Sequence, residues 1–120
     1  DGEEAGMKTH CTRTWVLLRK DAADMVKNVI FAMNCSDERL AREVIRSDDR
    51  VDEWWRRISG ELKSTGTQRT LTAEEMEGML SVFGIANNLE RIGDHATNIA
   101  EAVIFVTEGK DIKHTDKNLL

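Results

Sequence analysis

Apolar residues recur at alternating steps of three and four through three long stretches of this chain, and no proline interrupts any of them. That period is one face of an α-helix, and no stretch carries a β-strand signal of comparable strength. The first stretch, Thr12 to Asn34, places Trp15, Leu18, Ala22, Met25, Val29 and Ala32 on one stripe, widened by Val26, Ile30 and Met33. The second, Glu38 to Ser64, places Leu40, Val44, Val51, Trp55, Ile58 and Leu62 on one side and Arg42, Arg46, Arg50 and Arg57 on the other, an amphipathic helix with a cationic back. The third opens on a capping box, Thr72 with Glu75 three residues on, and runs to Glu108, where Gly109 is placed to end it.

The connections are short. Asn34 to Asp37 forms the first turn, with Ser36 or Asp37 available to cap the second helix, and Gly66 with the polar run 67–70 forms the second turn. Long helices joined by short turns pack antiparallel, so the expected fold is all-α: an up-down-up three-helix bundle over 12–109. Residues 1–11 then form an N-terminal extension, and 110–120 a polar, loosely ordered C-terminal tail. The third helix has two apolar sides. Ile85, Leu89, Ile92, Ala96, Ile99, Val103 and Val106 form one stripe in its second half, while Met76, Met79, Leu80 and Phe83 lie nearly opposite in its first. A heptad drifts by only about 20°, so this helix is expected to meet a second partner besides its own bundle, either another bundle or a dimer mate.

Composition narrows the function. With 120 residues the chain has room for one domain, and a formal net charge of −5 disfavours nucleic-acid binding while suiting a cation or a basic partner. No apolar run approaches the ~18 residues of a membrane span, and the acidic opening Asp1 to Gly6 is not a secretory signal. The chain opens on Asp1 rather than methionine, which fits a fragment or a removed N-terminal region. Its two cysteines, Cys11 and Cys35, sit about 36 Å apart if they share one helix, too far for a disulfide, so free thiols and a reducing compartment are expected. No serine or cysteine has a base placed beside it, no glycine-rich phosphate loop exists, and the three histidines are scattered; the chain is read as not an enzyme.

The chemistry concentrates in acids at helical spacing. Glu90 and Asp94 stand one turn apart, followed on the same face by Asn98 and Glu101. With Ile92 taken as the centre of the buried stripe, that face points away from the core, where solvent is the plain explanation for acids. Yet the face holds no lysine or arginine between Asn87 and Glu101 to relieve the repulsion. Asp48 and Asp52 repeat the spacing at the edge of the apolar side of the second helix, where uncompensated acids are costly unless Arg46, Arg50 or Arg56 reaches around, water hydrates them, or a cation binds. Carboxylate and amide oxygens suit hard cations: Mg, Ca, Mn or iron. A di-iron enzyme of the Glu-x-x-His type is disfavoured, because Gly93 stands where its histidine belongs, and His95 points to another side.

The third helix resembles the signature of the PhoU family, regulators of bacterial phosphate uptake. The resemblance rests on the string from Asn87-Asn88-Leu89-Glu90-Arg91-Ile92-Gly93-Asp94-His95 to Ala100-Glu101 and the exit Glu108-Gly109-Lys110-Asp111. It also rests on Ala41-Arg42-Glu43-Val44-Ile45 and Asp48-Asp49-Arg50-Val51-Asp52, in order and spacing, over roughly Thr12 to His114. It implies a spectrin-repeat-like bundle, one of the two that family members carry in tandem, and this chain is most similar to the C-terminal repeat. It implies a fragment, or a single-repeat protein that self-associates or joins a second bundle. By the resemblance, Asp48, Asp52, Glu90 and Asp94 would be metal ligands, with Asn98 and Glu101 behind them, for iron or zinc first and Mg, Mn or Ca otherwise. It implies a cytoplasmic negative regulator of the phosphate response, acting between the ATPase of the phosphate ABC transporter and a sensor histidine kinase. The alternative is a helical protein–protein interaction module without bound metal.

Overall fold

The computed structural model describes the backbone of residues 2–119 and the side chains of residues 13–109. Three helices follow one another: α1 (Gly2–Cys35), α2 (Glu38–Gln68) and α3 (Ala73–Leu119). Each packs on both others, giving the all-α, up-down-up bundle, a rod of 74 × 17 × 17 Å. Among the described residues, no helix is long and apolar enough to cross a membrane.

The turns are closed by side chains and by one strained residue. Ser36 adopts a left-handed φ of 51°, which lets the Asp37 N–H donate back to Ala32 O at 2.9 Å and ends α1. Asp37 then caps α2, its Oδ1 accepting from the Leu40 N–H at 3.0 Å. At α3 the capping box forms in both directions, Glu75 N–H to Thr72 Oγ1 and Thr72 N–H to Glu75 Oε1, each at 3.1 Å. Arg69 pairs with the same Glu75 and, with the Thr72 backbone N–H, holds its carboxyl down near 2.

The helices run longer than their expected limits. α1 begins at Gly2 rather than Thr12, α2 continues through Gly66 to Gln68, and α3 continues through Gly109 to Leu119. No glycine among the described residues takes a positive φ. A helix-interior glycine costs only about 1 kcal/mol, so without a proline or a left-handed turn neither Gly66 nor Gly109 stops its helix. The side chains of 1–12 and 110–120, Cys11 included, lie outside the described residues; Cys35 is free and exposed.

The main stripes of α1 and α2 pack as the periodicity predicts, while Ile30 and Met33, expected to widen the α1 stripe, remain 47% and 53% exposed. Leu18, Ala22, Met25, Val29 and Ala32 of α1 meet Ala41, Val44, Val51, Ile58 and Leu62 of α2 in the core, with Trp15, Leu40 and Trp55 packed at its edge. On α3 the expectation holds only in part: Leu89, Ala96 and Val103 of the expected stripe pack in the bundle, and its larger members do not. The buried residues are small: Ala86, Gly93, Ala96 and Ala100, then Val103. Ile85, Ile92, Ile99 and Val106 remain 45%, 41%, 41% and 52% exposed. The helix is rotated so that its narrow side meets its partners, which brings the backbones close. A methyl group at Gly93 would lie 3.2 Å from Val51 Cγ1, 3.3 Å from Asp48 Oδ1 and 3.6 Å from Met25 Sδ.

That contact sets a differential expectation. Gly78 has nothing within 4 Å of an added methyl, so Gly78→Ala should stabilise the protein by roughly 0.5–1 kcal/mol through helix propensity. Gly93→Ala adds the same propensity but must displace the fully buried Val51 and the Asp48 carboxylate, so it should yield no gain or a loss of about 1 kcal/mol. Urea unfolding of the two variants beside the parent measures the difference, and an equal gain at both positions would contradict the close packing.

Candidate metal centre

The rotation of α3 carries its acids towards α2 rather than away from the bundle. Glu90 is half-buried, and Asp94, one turn on, stands at the solvent edge. Asp48 and Asp52 approach from α2, both half-buried, as expected at the margin of its apolar side. One carboxylate oxygen from each of Asp48, Asp52 and Asp94 lies within 4.8 Å of the other two. Elsewhere along the α2–α3 contact, Trp55 and Phe83 pack at a ring separation of 6.5 Å and an interplanar angle of 49°.

Among the described residues, no arginine or lysine forms a direct ion pair with this group. Arg46 and Arg56 instead face Glu43 and Glu53, each at 4.0 Å on the exposed back of α2. Arg56 eases Asp52 only from a distance. The Asp48 Oδ1 atom is buried without a hydrogen-bond partner, against the bare backbone of Gly93. Two unit charges at such separations repel by about 1 kcal/mol in water and about 3 kcal/mol at an effective dielectric near 20.

The protonation equilibria follow. Burial, then the charges of Asp52 and Asp94, pushes Asp48 up to about 6. Burial, then a hydrogen bond and repulsion from Asp94, pushes Glu90 up to about 7. Burial, then Asp94, also raises Asp52. Raised acids disfavour the folded state once ionised. Between the ordinary carboxylate range and about 7 the folded chain binds more protons than the unfolded one, so this group's contribution to stability falls as pH rises.

Of the six residues picked out by spacing, Asp48, Asp52 and Asp94 converge, and Glu90 adjoins them through Asp94. Glu101 stands outside the cluster, and both Asn98 and Glu101 are exposed on later turns of α3. The residue that sequence reasoning undervalued is Gly93. It was noticed only as the absence of a histidine, yet it makes the room for Asp48 and leaves none for a larger side chain. The stripe of small residues Ala86, Gly93, Ala96 and Ala100 was the available signal. Three convergent oxygens with one orphaned lone-pair set can hold a hard cation.

Comparison with known proteins follows the same region. The PhoU domain matches residues 17–103. The PhoU homolog 1 of Thermotoga maritima, a phosphate-specific transport system accessory protein, is 31% identical over 108 residues, 84% of this chain and 47% of its own length. A homolog of the same name in Caulobacter vibrioides is 36% identical over 111 residues, 91% of this chain and 46% of its own. One in Zymomonas mobilis is 37% identical over 90 residues, 75% and 37%. The chain thus spans less than half the length of these relatives. No solved structure matches it.

Removing one charge should relieve the cluster. In chelator-treated protein at pH 7.5, Asp48→Asn should stabilise by about 1–2 kcal/mol, and the advantage should shrink towards zero near pH 5, where the parent protonates instead. Urea midpoints at the two pH values check this; a variant less stable than the parent at both would contradict it.

Proposed function

Because this chain belongs to the PhoU domain family, we propose that it is a metal-binding regulatory module of phosphate transport, its ion held by Asp48, Asp52 and Asp94. The observation that carries the reading is the unneutralised carboxylate triad with the orphaned Asp48 Oδ1, set on the domain that the family shares. An ion there would supply the direct positive partner that no arginine or lysine provides. Asp48 and Asp52 would hold it from α2 and Asp94 from α3, tying the two helices together. Positive charge held at that site would favour the ionised form of the neighbouring Glu90, which burial and Asp94 disfavour.

The donors are oxygens, which suit iron, Mn, Mg or Ca; zinc accepts carboxylate oxygens as well, and iron and zinc are the first choices. In this reading the module is not an enzyme. It acts in the cytoplasm as a negative regulator, between the ATPase of the phosphate ABC transporter and its sensor histidine kinase. The relatives' role as transport accessory proteins supports this assignment.

Chelator-stripped protein titrated with Mn, ferrous iron or zinc tests the reading. The parent should gain about 2–3 kcal/mol of stability at an ion concentration a hundred times the Kd, a rise in Tm of the order of 10 °C. The Asp48→Asn/Asp94→Asn double variant should gain almost nothing. An equal response, or none in the parent, would overturn the metal site. If a phosphate-starvation reporter is still repressed by the double variant, the chain acts instead as a metal-free interaction module.

A further inference from the structure

The line of α3 that carries the acids is bounded at both ends by aromatic side chains. Phe83, Asp94 and Phe105 follow one another at intervals of 11 residues. Such an interval advances an α-helix by three turns plus about 20°, so the three share one line about 33 Å long with the carboxylate at its centre. Phe83 is 40% exposed and Phe105 78%, and Met76 and Leu80 extend the apolar end beyond Phe83 at 48% and 64%. The line runs along the α2 flank, since Phe83 packs on Trp55, and Glu108, one turn beyond Phe105, reaches Arg42. Between the aromatic ends stand Glu90, Asp94 and Glu101 on α3, with Asp48 and Asp52 beside them on α2. Arg91 is the single lysine or arginine of α3 between 73 and 109, and at 100° per residue it lies on another side.

We propose that this face is a docking groove for a helix of a partner protein, one that carries a lysine or arginine midway between two aliphatic side chains. Charge decides the occupant. The middle of the groove gathers carboxylates that no arginine or lysine pairs with directly, so it attracts a basic side chain and repels an acidic one. The apolar ends supply the anchors. Positions 11 apart fall on one side of a straight partner helix as well, so its aliphatic residues reach both ends while its basic residue reaches Asp94. A groove about 33 Å long beneath a helix about 10 Å wide buries of the order of 400 Å² per partner, the size of a transient contact rather than a permanent one. A divalent ion at the carboxylates would oppose a basic side chain arriving there, so ion and helix exclude each other and the ion releases the partner. That exclusion rests on the metal reading, whereas the docking does not.

The test uses the full 120-residue chain and a fluorescent, end-capped synthetic helix of about 25 residues. The probe is rich in alanine and glutamine, with arginine at its centre and a leucine 11 positions away on either side, matching the spacing of Phe83, Asp94 and Phe105. Anisotropy in the presence of chelator should give a Kd of the order of 10 μM for the parent. Glutamate in place of the probe's arginine should weaken binding about tenfold, and so should Asp48→Asn/Asp94→Asn in the protein. Phe105→Ser and Leu80→Ser should each weaken it about fivefold. Both side chains are already largely exposed, so far-UV circular dichroism should stay unchanged. No binding of the arginine probe, equal affinity for the arginine and glutamate probes, or full affinity in both serine variants would each overturn the proposal. Saturating Mn should weaken the arginine probe about tenfold in the parent and leave the double asparagine variant as it was. Mn that raises the Tm of the parent yet leaves docking intact would overturn the exclusion, whereas Mn that changes neither counts against the metal reading alone.

Discussion

At Gly93, α2 packs against the bare backbone of α3, and the site and the exposed face of α3 are arranged around that contact. Without a side chain there, Val51 and the Asp48 carboxylate rest directly against the α3 backbone. The close approach selects the small residues Ala86, Ala96 and Ala100 for the interior and turns the isoleucines outward. The same rotation swings Glu90 and Asp94 from the solvent side of α3 towards Asp48 and Asp52. The close contact at Gly93, the exposed aliphatic side chains and the carboxylate cluster thus go with one orientation of α3.

The cluster places a local conflict inside an otherwise consistent fold. Val51 and Met25 pack against Gly93 beside the Asp48 carboxylate, and the gathered acids repel one another once ionised. A domain of this size is stable by about 5–15 kcal/mol, so a repulsion of a few kcal/mol is a sizeable share of the total. In the proposed role that conflict is what makes the bundle responsive. A cation would convert repulsion between α2 and α3 into attraction, stiffening the helix pair without any change of fold.

The fold was legible because period survives any packing arrangement. The main stripes of α1 and α2 pack inward, Ile30 and Met33 apart, and Asp37, Thr72 and Glu75 cap the helices as their spacing implies. What periodicity does not carry is phase when two stripes compete. On α3 the larger residues Ile85, Ile92 and Ile99 outweighed the alanines in any hydrophobic count, yet the alanines and Gly93 are inside. Backbone proximity is a pairwise property of two helices, and no single helix displays it. The site was legible to the same extent. Asp48 and Asp52 stand at a core margin and Glu90 and Asp94 are marked by their spacing, whereas Asn98 and Glu101, which continue the face, are exposed, and Glu101 stands outside the group of converging acids. The mutual contact of the acids came only with the rotation of α3.

The central claim is that the fold itself holds these acids together unneutralised. Carboxyl-carbon NMR titration of chelator-treated protein tests it most directly. Asp48 should titrate near 6 and Glu90 near 7, well above the ordinary carboxylate range, while Glu75 titrates near 2 in the same spectra. Ordinary values near 4 for both Asp48 and Glu90 would show that the acids are hydrated and apart, and would contradict the account.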